Sequence, residues 1–212
     1  MKPFAAILIA AFFQVVNAGT LFVFDSPNLI VLKSEGKVFG YYGFIHQILP
    51  FSCQFFFMQN GAESASEIGI DSFSLDAGKY GYENRNKDYD ISGKIFIKNS
   101  DWIIQTTDSP PGCGGAVGSF LKGPEDSHPT SYTEVEEVPA IAIRTVIRKT
   151  FLFDKKGNVF SRRRGYFTSG DVVAVIEQSD IYSYVRFSHP ATGKITTVWV
   201  NRKDLENPFP TH

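Results

Sequence analysis

The chain has 212 residues, of which 43% are hydrophobic, and a formal net charge of −1 at pH 7. This hydrophobic share is enough for folded cores, and the length fits one large or two small domains. A near-neutral chain of this kind gives no reason to expect a nucleic-acid partner.

The small net charge hides an asymmetry along the chain. Residues 19–138 carry 8 Lys and Arg against 16 Asp and Glu, a net of −8. Residues 139–212 carry 12 basic against 6 acidic side chains, a net of +6. The two halves are therefore expected either to attract each other or to meet different partners.

The N-terminus has the pattern of a secretory signal peptide. Lys2 supplies a positive charge, residues 4–16 form a short apolar run, and Ala18 ends the segment with a small residue. The run is shorter than the roughly 20 apolar residues of a membrane span. No cysteine directly follows the expected cleavage site, so the lipid anchor of a lipoprotein is not indicated. We expect cleavage near Ala18 and a periplasmic or secreted protein without a later transmembrane segment. The alternative is a buried N-terminal helix or strand.

Residues 19–122 are predicted to form a β-rich acidic domain. The chain contains 20 Phe and 9 Tyr, and aromatic residues interrupted by Gly and Pro favour strands over helices. Residues 93–106 predict a hairpin, because two β-rich runs flank the turn residues Lys98-Asn-Ser-Asp101. The domain is interpreted as a barrel or sandwich of six to eight strands.

The two cysteines, Cys53 and Cys113, predict one disulfide in an exported protein. The alternative is a reactive Cys53 activated by His46, which lies seven residues upstream. The disulfide would pin the loop that starts at Asp108, where two prolines further limit the backbone. A pre-ordered loop binds with a smaller entropic cost, so Asp108, Pro110, Pro111 and Gly112 form a candidate inhibitory loop. The alternative role for this loop is to close one end of a barrel.

Residues 123–138 are polar and acidic with prolines, and predict a linker. Beyond the linker, short β-rich runs are separated by turn signals, including the turn Asp154-Lys-Lys-Gly-Asn158 with a Gly suited to positive φ. Five short strands with such spacing predict a small barrel over residues 139–207, followed by a tail at 208–212.

Three motifs of this C-terminal third resemble the bacterial SH3 (SH3b) family. The pair Gly170-Asp171 opens a strand that continues to Ile176, and the run from Tyr182 to Phe187 has the pattern of the family's next strand. The ending holds Trp199, Val200, Asp204 and Leu205, with Val198 where the family usually has Gly. The resemblance implies an SH3-like barrel that binds cell-wall peptides or a protein partner.

The candidate ligand-binding residues of this barrel are aromatic and cationic. The basic run Arg162-Arg163-Arg164 suits an anionic envelope surface or other anionic partner, with a solvated charged loop as the alternative. The aromatic candidates, of which about half are expected to be core, are Tyr166, Tyr182, Tyr184 and Trp199.

No pattern for catalysis is present in the sequence. A nucleophile elbow is absent, no histidines are paired at helical spacing for zinc, and the segment from Asn84 to Asp90 lacks the Gly and Glu of a calcium loop. We therefore expect no enzyme, no metal and no cofactor. The sequence favours an exported, non-catalytic binding protein of the bacterial cell envelope. The alternative is an inhibitor or immunity protein that blocks a cell-wall hydrolase or toxin through its N-terminal domain.

Overall fold

The computed structural model describes residues 18–64, 66–114 and 120–211, and these residues form an all-β protein, as predicted. The predicted signal peptide, except for Ala18, lies outside the described residues. The first eight strands are β1 Gly19–Phe24, β2 Leu29–Ser34, β3 Lys37–Ile45, β4 Ser52–Glu63, β5 Glu67–Phe73, β6 Ile91–Lys98, β7 Asp101–Thr106 and β8 Ser131–Ala140. The next seven are β9 Ala142–Val146, β10 Thr150–Lys156, β11 Val159–Phe167, β12 Val172–Gln178, β13 Tyr182–Ser188, β14 Ile195–Asn201 and β15 Leu205–Glu206. Short 3-10 turns lie at Tyr82–Asn84, Lys87–Tyr89 and Arg202–Asp204.

Strands β1 to β8 form a closed antiparallel barrel in which each strand pairs with its neighbours in the chain. The barrel closes where β8 pairs with β1, from Gly19 opposite Ala140 to Phe24 opposite Glu134. The predicted hairpin is confirmed, because β6 and β7 meet across Asn99 and Ser100, and Asn99 takes a φ of 58°.

Alternation of side chains explains why this barrel needs so many aromatic residues. In β3, Val38 and Tyr42 point into the barrel, whereas Tyr41 packs on its outside. The interior is filled with side chains, as expected of eight strands. A Cβ at Gly40 would lie 2.0 Å from the ring of Phe57, so this glycine makes room for the neighbouring strand's side chain.

The structure differs from the predicted linker at 123–138. The second half of that segment belongs to β8, which also pairs with β7, with Trp102 opposite Tyr132. Of the ten residues of β8, only Tyr132 and Ala140 are buried. Backbone hydrogen bonds to β1 and β7 hold this strand in place. Its polar composition does not indicate a strand, which is why the sequence predicted a linker.

The C-terminal strands form a seven-stranded, curled sheet in the order β11-β10-β14-β13-β12-β9-β15. The β-rich run from Arg144 to Phe153, which the sequence predicts as one strand, is divided in two, because β9 ends at Val146 and β10 starts at Thr150. The turn between β10 and β11 is confirmed, with Gly157 at a φ of 59°. The inner face of the sheet is aliphatic and holds a core that includes Val173, Val185 and Val198.

The barrel and the sheet share a third hydrophobic cluster. Tyr41 and Phe56 on the outside of the barrel pack with Ile143 and Ala174 on the outer face of the sheet. Phe209 belongs to the same cluster and is 6% exposed, so the segment predicted as a tail is docked onto the barrel.

Charge contributes to the same contact between the halves. Arg186 of the sheet is desolvated, which lowers its pKa, while the nearby carboxylate of Glu136 in β8 raises it in part. A cation of the basic half thus faces an anion of the acidic half. Attraction between the halves is one of the two alternatives that the charge asymmetry predicts, and this pair favours it.

Candidate functional site

The outer face of the C-terminal sheet carries a continuous group of aromatic side chains, here called the aromatic face. It consists of Phe153, Phe160, Tyr182, Tyr184 and Trp199. The rings of Phe160 and Tyr182 stack with centroids 4.2 Å apart, and Trp199 lies 5.3 Å from both Phe160 and Tyr184. Such contacts contribute more than their buried area alone.

Strand register brings these rings together. Successive side chains of a strand point to opposite faces, so Tyr182 and Tyr184 share the outer face of β13 while Val185 enters the core. Tyr184 stands opposite Trp199 in β14, and Trp199 stands opposite Phe153 in β10. With Phe160 in β11, which pairs with β10, the arrangement is a consequence of pairing between four strands.

Cations lie on this aromatic surface and on the neighbouring ring of Phe151. The Nζ atom of Lys155 is 4.4 Å from the Trp199 ring centroid and forms a 3.2 Å ion pair with Glu177. The guanidinium of Arg162 lies 3.5 Å from the ring centroid of Phe151. An anion that approached this surface would meet both a positive charge and an aromatic ring.

A cavity of about 360 Å³ opens beside the aromatic face. Trp199, which is only 6% exposed, lies at the base of this cavity. The lining residues are Phe153, Asp154, Lys155, Glu177, Tyr184, Thr197, Val198 and Trp199.

The predicted ligand-binding residues fall into two groups. Tyr182, Tyr184 and Trp199 lie together on the aromatic face. Tyr166 is 52% exposed and pairs with Phe151 at the other end of the hairpin, where the Nζ atom of Lys149 lies 4.0 Å from its ring centroid.

The three consecutive arginines, Arg162 to Arg164, are all exposed on β11, which forms the edge of the sheet. Arg163 pairs with Asp154 at 3.8 Å. Charged side chains on an edge strand also discourage unwanted pairing with another chain. The triplet is thus suited both to an anionic ligand and to protection of the edge.

Sequence reasoning missed Phe153 and Phe160 as members of this site, and it placed Lys155 only near the arginine run. Their contribution depends on the β10–β11 register, in which Phe160 stands opposite Lys155 and Phe153 opposite Arg162. The turn that contains Gly157 could have predicted these contacts. Once the turn is placed, counting residues outward along both strands gives the residue pairs of the hairpin.

The predicted disulfide between Cys53 and Cys113 is present, and it fixes the candidate inhibitory loop. The Cys113 N–H donates to the Pro110 carbonyl at 3.0 Å, and Gly112 takes a φ of 76°. A proline followed by a residue of positive φ is the arrangement of a type II turn. Asp108 and Gly112 are exposed, Pro111 is half-buried and Pro110 is buried.

Cys113 lies in the hydrophobic cluster of the barrel interior, so this loop covers one end of the barrel. Cys53 is bonded to Cys113 and is not a free thiol, so it is not the reactive cysteine of the alternative prediction. The ring of His46 instead stabilises the turn that follows it in the chain. The His46 Nδ1 atom accepts the backbone N–H groups of Ile48 at 3.2 Å and Leu49 at 3.0 Å.

The side chain of Arg85 stabilises the segment from Asn84 to Asp90. The guanidinium of Arg85 bonds both carboxylate oxygens of Asp90 and lies 3.9 Å from the ring centroid of Tyr82. Among the described residues, no group of three or more His, Cys, Asp or Glu side chains is placed to hold a metal ion.

Comparison of this chain with protein-family models, with curated proteins and with solved structures finds no match.

Proposed function

We propose that this chain is an exported, non-catalytic binding protein of the bacterial cell envelope, and that its C-terminal sheet is an SH3-like domain. In this proposal the aromatic face recognises a cell-wall peptide or a protein partner that carries negative charge. The observation that carries the proposal is the continuous aromatic face with Lys155 placed over its Trp199 ring and Arg162 over the neighbouring ring of Phe151.

The strand order supports the SH3-like assignment. The hairpin β10–β11 follows the first strand, β9, where the resemblance calls for a variable loop. Strands β12, β13 and β14 are consecutive neighbours, and the last strand, β15, lies beside the first. The family-like ending with Asp204 and Leu205 coincides with a 3-10 turn and β15.

Export is supported by the disulfide, because such bonds persist in oxidising compartments. Within the described ranges, no helix has both the length and the apolar character that crossing a bilayer requires.

Sedimentation with purified peptidoglycan sacculi tests the proposal. We expect the full chain to sediment with sacculi at low salt and to remain in solution at high salt, because the Debye length falls from about 10 Å at 0.1 M to about 3 Å at 1 M. Arg162→Glu and Tyr182→Ala should each weaken sedimentation. Lys98→Glu, at an exposed lysine on the barrel, is the matched charge control and should have no effect.

Sedimentation that is unchanged by both Arg162→Glu and Tyr182→Ala would reject the aromatic face as the binding surface. Failure of the unaltered chain to sediment would reject peptidoglycan as the ligand.

The tip between β3 and β4 favours a second candidate function, inhibition of a cell-wall hydrolase. Ile48 is 88% exposed and Leu49 is 51% exposed, although His46 holds the backbone of both residues in place. The tip precedes Ser52, whose carbonyl oxygen touches the rigid turn at Gly112. Exposed apolar side chains on an ordered surface mark protein contacts.

Inhibition of a lysozyme-like enzyme by the full chain measures this second function directly. If the tip inhibits the enzyme, Ile48→Asp should abolish inhibition and leave binding to sacculi intact. Absence of inhibition by the unaltered chain would exclude a lysozyme-like target.

A further inference from the structure

The C-terminal sheet leaves one long strand edge without a neighbour. Strand β11 is the first strand of this sheet and, within the described residues, it pairs only with β10. Of its nine residues only Phe167 is buried, so the strand is open to solvent along most of its length. The strand at the opposite edge, β15, has two residues and is too short to serve as a template. An uncovered edge presents backbone N–H and C=O groups that can pair with another extended segment.

The register of the β10–β11 hairpin indicates which backbone groups are free. The two-residue turn at 157–158 is closed by Lys156 opposite Val159. In hairpins with such turns the closing pair exchanges two backbone hydrogen bonds, and the following pairs alternate between non-bonded and bonded. Phe160 and Arg162 therefore belong to non-bonded pairs. Their N–H and C=O groups point away from β10, toward the free edge.

The side chains along this edge are strongly basic. Residues 149–167 carry six Lys and Arg against one Asp. That acid, Asp154, lies on β10 and is paired with Arg163 at 3.8 Å, and Glu177 of β12 is paired with a lysine of β10 at 3.2 Å. Within the part of the chain that the structure describes, Arg162 forms no ion pair. An acidic side chain opposite Arg162 would fill a position that the chain itself leaves open.

The same charges argue against a second copy of this chain as the occupant of the edge. Pairing of two β11 strands would place the arginines of one strand beside those of the other, and like charges on adjacent strands are destabilising. A strand that carries Asp or Glu would instead form opposite-charge pairs with the edge. The edge thus discriminates by charge in favour of an acidic strand.

We propose that the free edge of β11 binds an extended, acidic segment of a protein partner by strand addition. The segment pairs with the backbone of Phe160 and Arg162 and places an acidic side chain opposite Arg162. Main-chain hydrogen bonds then supply affinity, and the pattern of charges supplies specificity. The inference rests on the proposed binding function, and it specifies a protein partner and the strand that holds it.

Fluorescence anisotropy with labelled synthetic peptides tests the proposal on the full chain. The probe is a peptide of alternating Thr and Glu, which places all its acids on one face when it is extended. We expect saturable binding of this probe at low salt and no binding of a matched peptide of alternating Thr and Lys. Arg162→Gln should weaken probe binding by about threefold. Lys98→Gln, at an exposed lysine of the barrel, is the control and should leave probe binding unchanged.

Backbone methylation of the probe separates strand addition from general attraction between charges. A peptide residue opposite Arg162 directs its own N–H toward β11, and its two neighbours direct theirs away. Methylation of the Glu nitrogens should therefore weaken binding by about tenfold or more, whereas methylation of the Thr nitrogens should preserve it. Both methylated peptides carry the same charge, so a purely electrostatic contact would not distinguish them.

Hydrogen exchange on the full chain locates the binding edge. The amides of Phe160 and Arg162 face solvent in the unliganded chain and should gain protection when the probe binds. The amide of Ser161, which stands opposite Asp154 in a bonded pair of the hairpin, should change less.

Three outcomes would overturn the proposal. One is the absence of saturable probe binding across the millimolar range. Another is equal weakening of binding by methylation of the Glu and of the Thr nitrogens. The third is concentration-dependent dimerisation of the unaltered chain that protects the amides of Phe160 and Arg162, which would assign the edge to a second copy.

Failure of strand addition and failure of the envelope proposal are read from separate assays. A chain that binds the probe but does not sediment with sacculi would reject peptidoglycan and retain strand addition. A chain that sediments with sacculi but does not bind the probe would reject strand addition alone.

Discussion

The substitution Phe209→Ala probes whether the barrel and the sheet are stabilised as one unit. The Phe209 ring is 6% exposed, with centroids 5.0 Å from Phe39, 5.9 Å from Phe56 and 6.0 Å from Phe73. Truncation of a buried Phe to Ala costs roughly 3–5 kcal/mol. Because this ring lies near the end of the chain, where neighbours can close in on the vacated space, we expect a loss of about 3 kcal/mol.

Urea unfolding, followed by intrinsic fluorescence and circular dichroism, measures this loss. With a slope of about 2 kcal/mol/M, the midpoint should fall by roughly 1.5 M. Both probes should report the same lowered midpoint, because Phe209 joins the C-terminal segment to the barrel. Tyr89→Ala, at an aromatic residue that is 44% exposed, is the control and should change stability by less than about 0.5 kcal/mol.

An unchanged midpoint in Phe209→Ala would refute the docking of the C-terminal segment. A change confined to one half of the molecule would refute the shared cluster between barrel and sheet.

Four further substitutions have defined outcomes. Cys53→Ser opens a disulfide with a sequence separation of 60 and should lower the unfolding free energy by about 4 kcal/mol without altering sedimentation with sacculi. Gly112→Ala should cost about 2 kcal/mol or more in urea unfolding, because φ is 76° and the new Cβ would lie 2.1 Å from the Ser52 carbonyl oxygen. Gly157→Ala, with open space around it, should cost less, and equal losses would contradict the argument. Burial raises the pKa of Asp171, so its protonated form stabilises the fold at low pH and that contribution is lost as pH rises through the folded pKa. The stability difference between the unaltered chain and Asp171→Asn should therefore vary across acidic pH, and a constant difference would refute the shift.

Local signals predicted part of the fold. The turn chemistry at Asn99 and Gly157 marked two hairpins that the structure contains, because residues that tolerate positive φ act within a few positions. The pairing of Cys53 with Cys113 followed from their number and the expected compartment. The shared face of Tyr182 and Tyr184 followed from the period of a strand.

The remaining features depend on contacts that are distant in sequence. Strand β8 carries Glu134, Glu136 and Glu137 and exposes 61% of Val135, so it lacks the alternation by which strands are recognised. Its position is set by the edges of β1 and β7 that it joins. Likewise, no local pattern indicates that Phe209 packs against Phe39 and Phe56, since that depends on how the C-terminal segment docks on the barrel.

The passage from β8 to β9 has a practical meaning for dissecting this protein. Only Ile141 separates the two strands, and its N–H donates to the Val175 carbonyl at 2.7 Å. Cutting the chain after residue 122, where the first domain was predicted to end, would remove the barrel's closing strand β8. Strands β1 and β7 would then have unsatisfied backbone groups at exposed edges, which promotes aggregation. The units to express and compare are therefore the intact chain and its point variants, since neither half is a separable module.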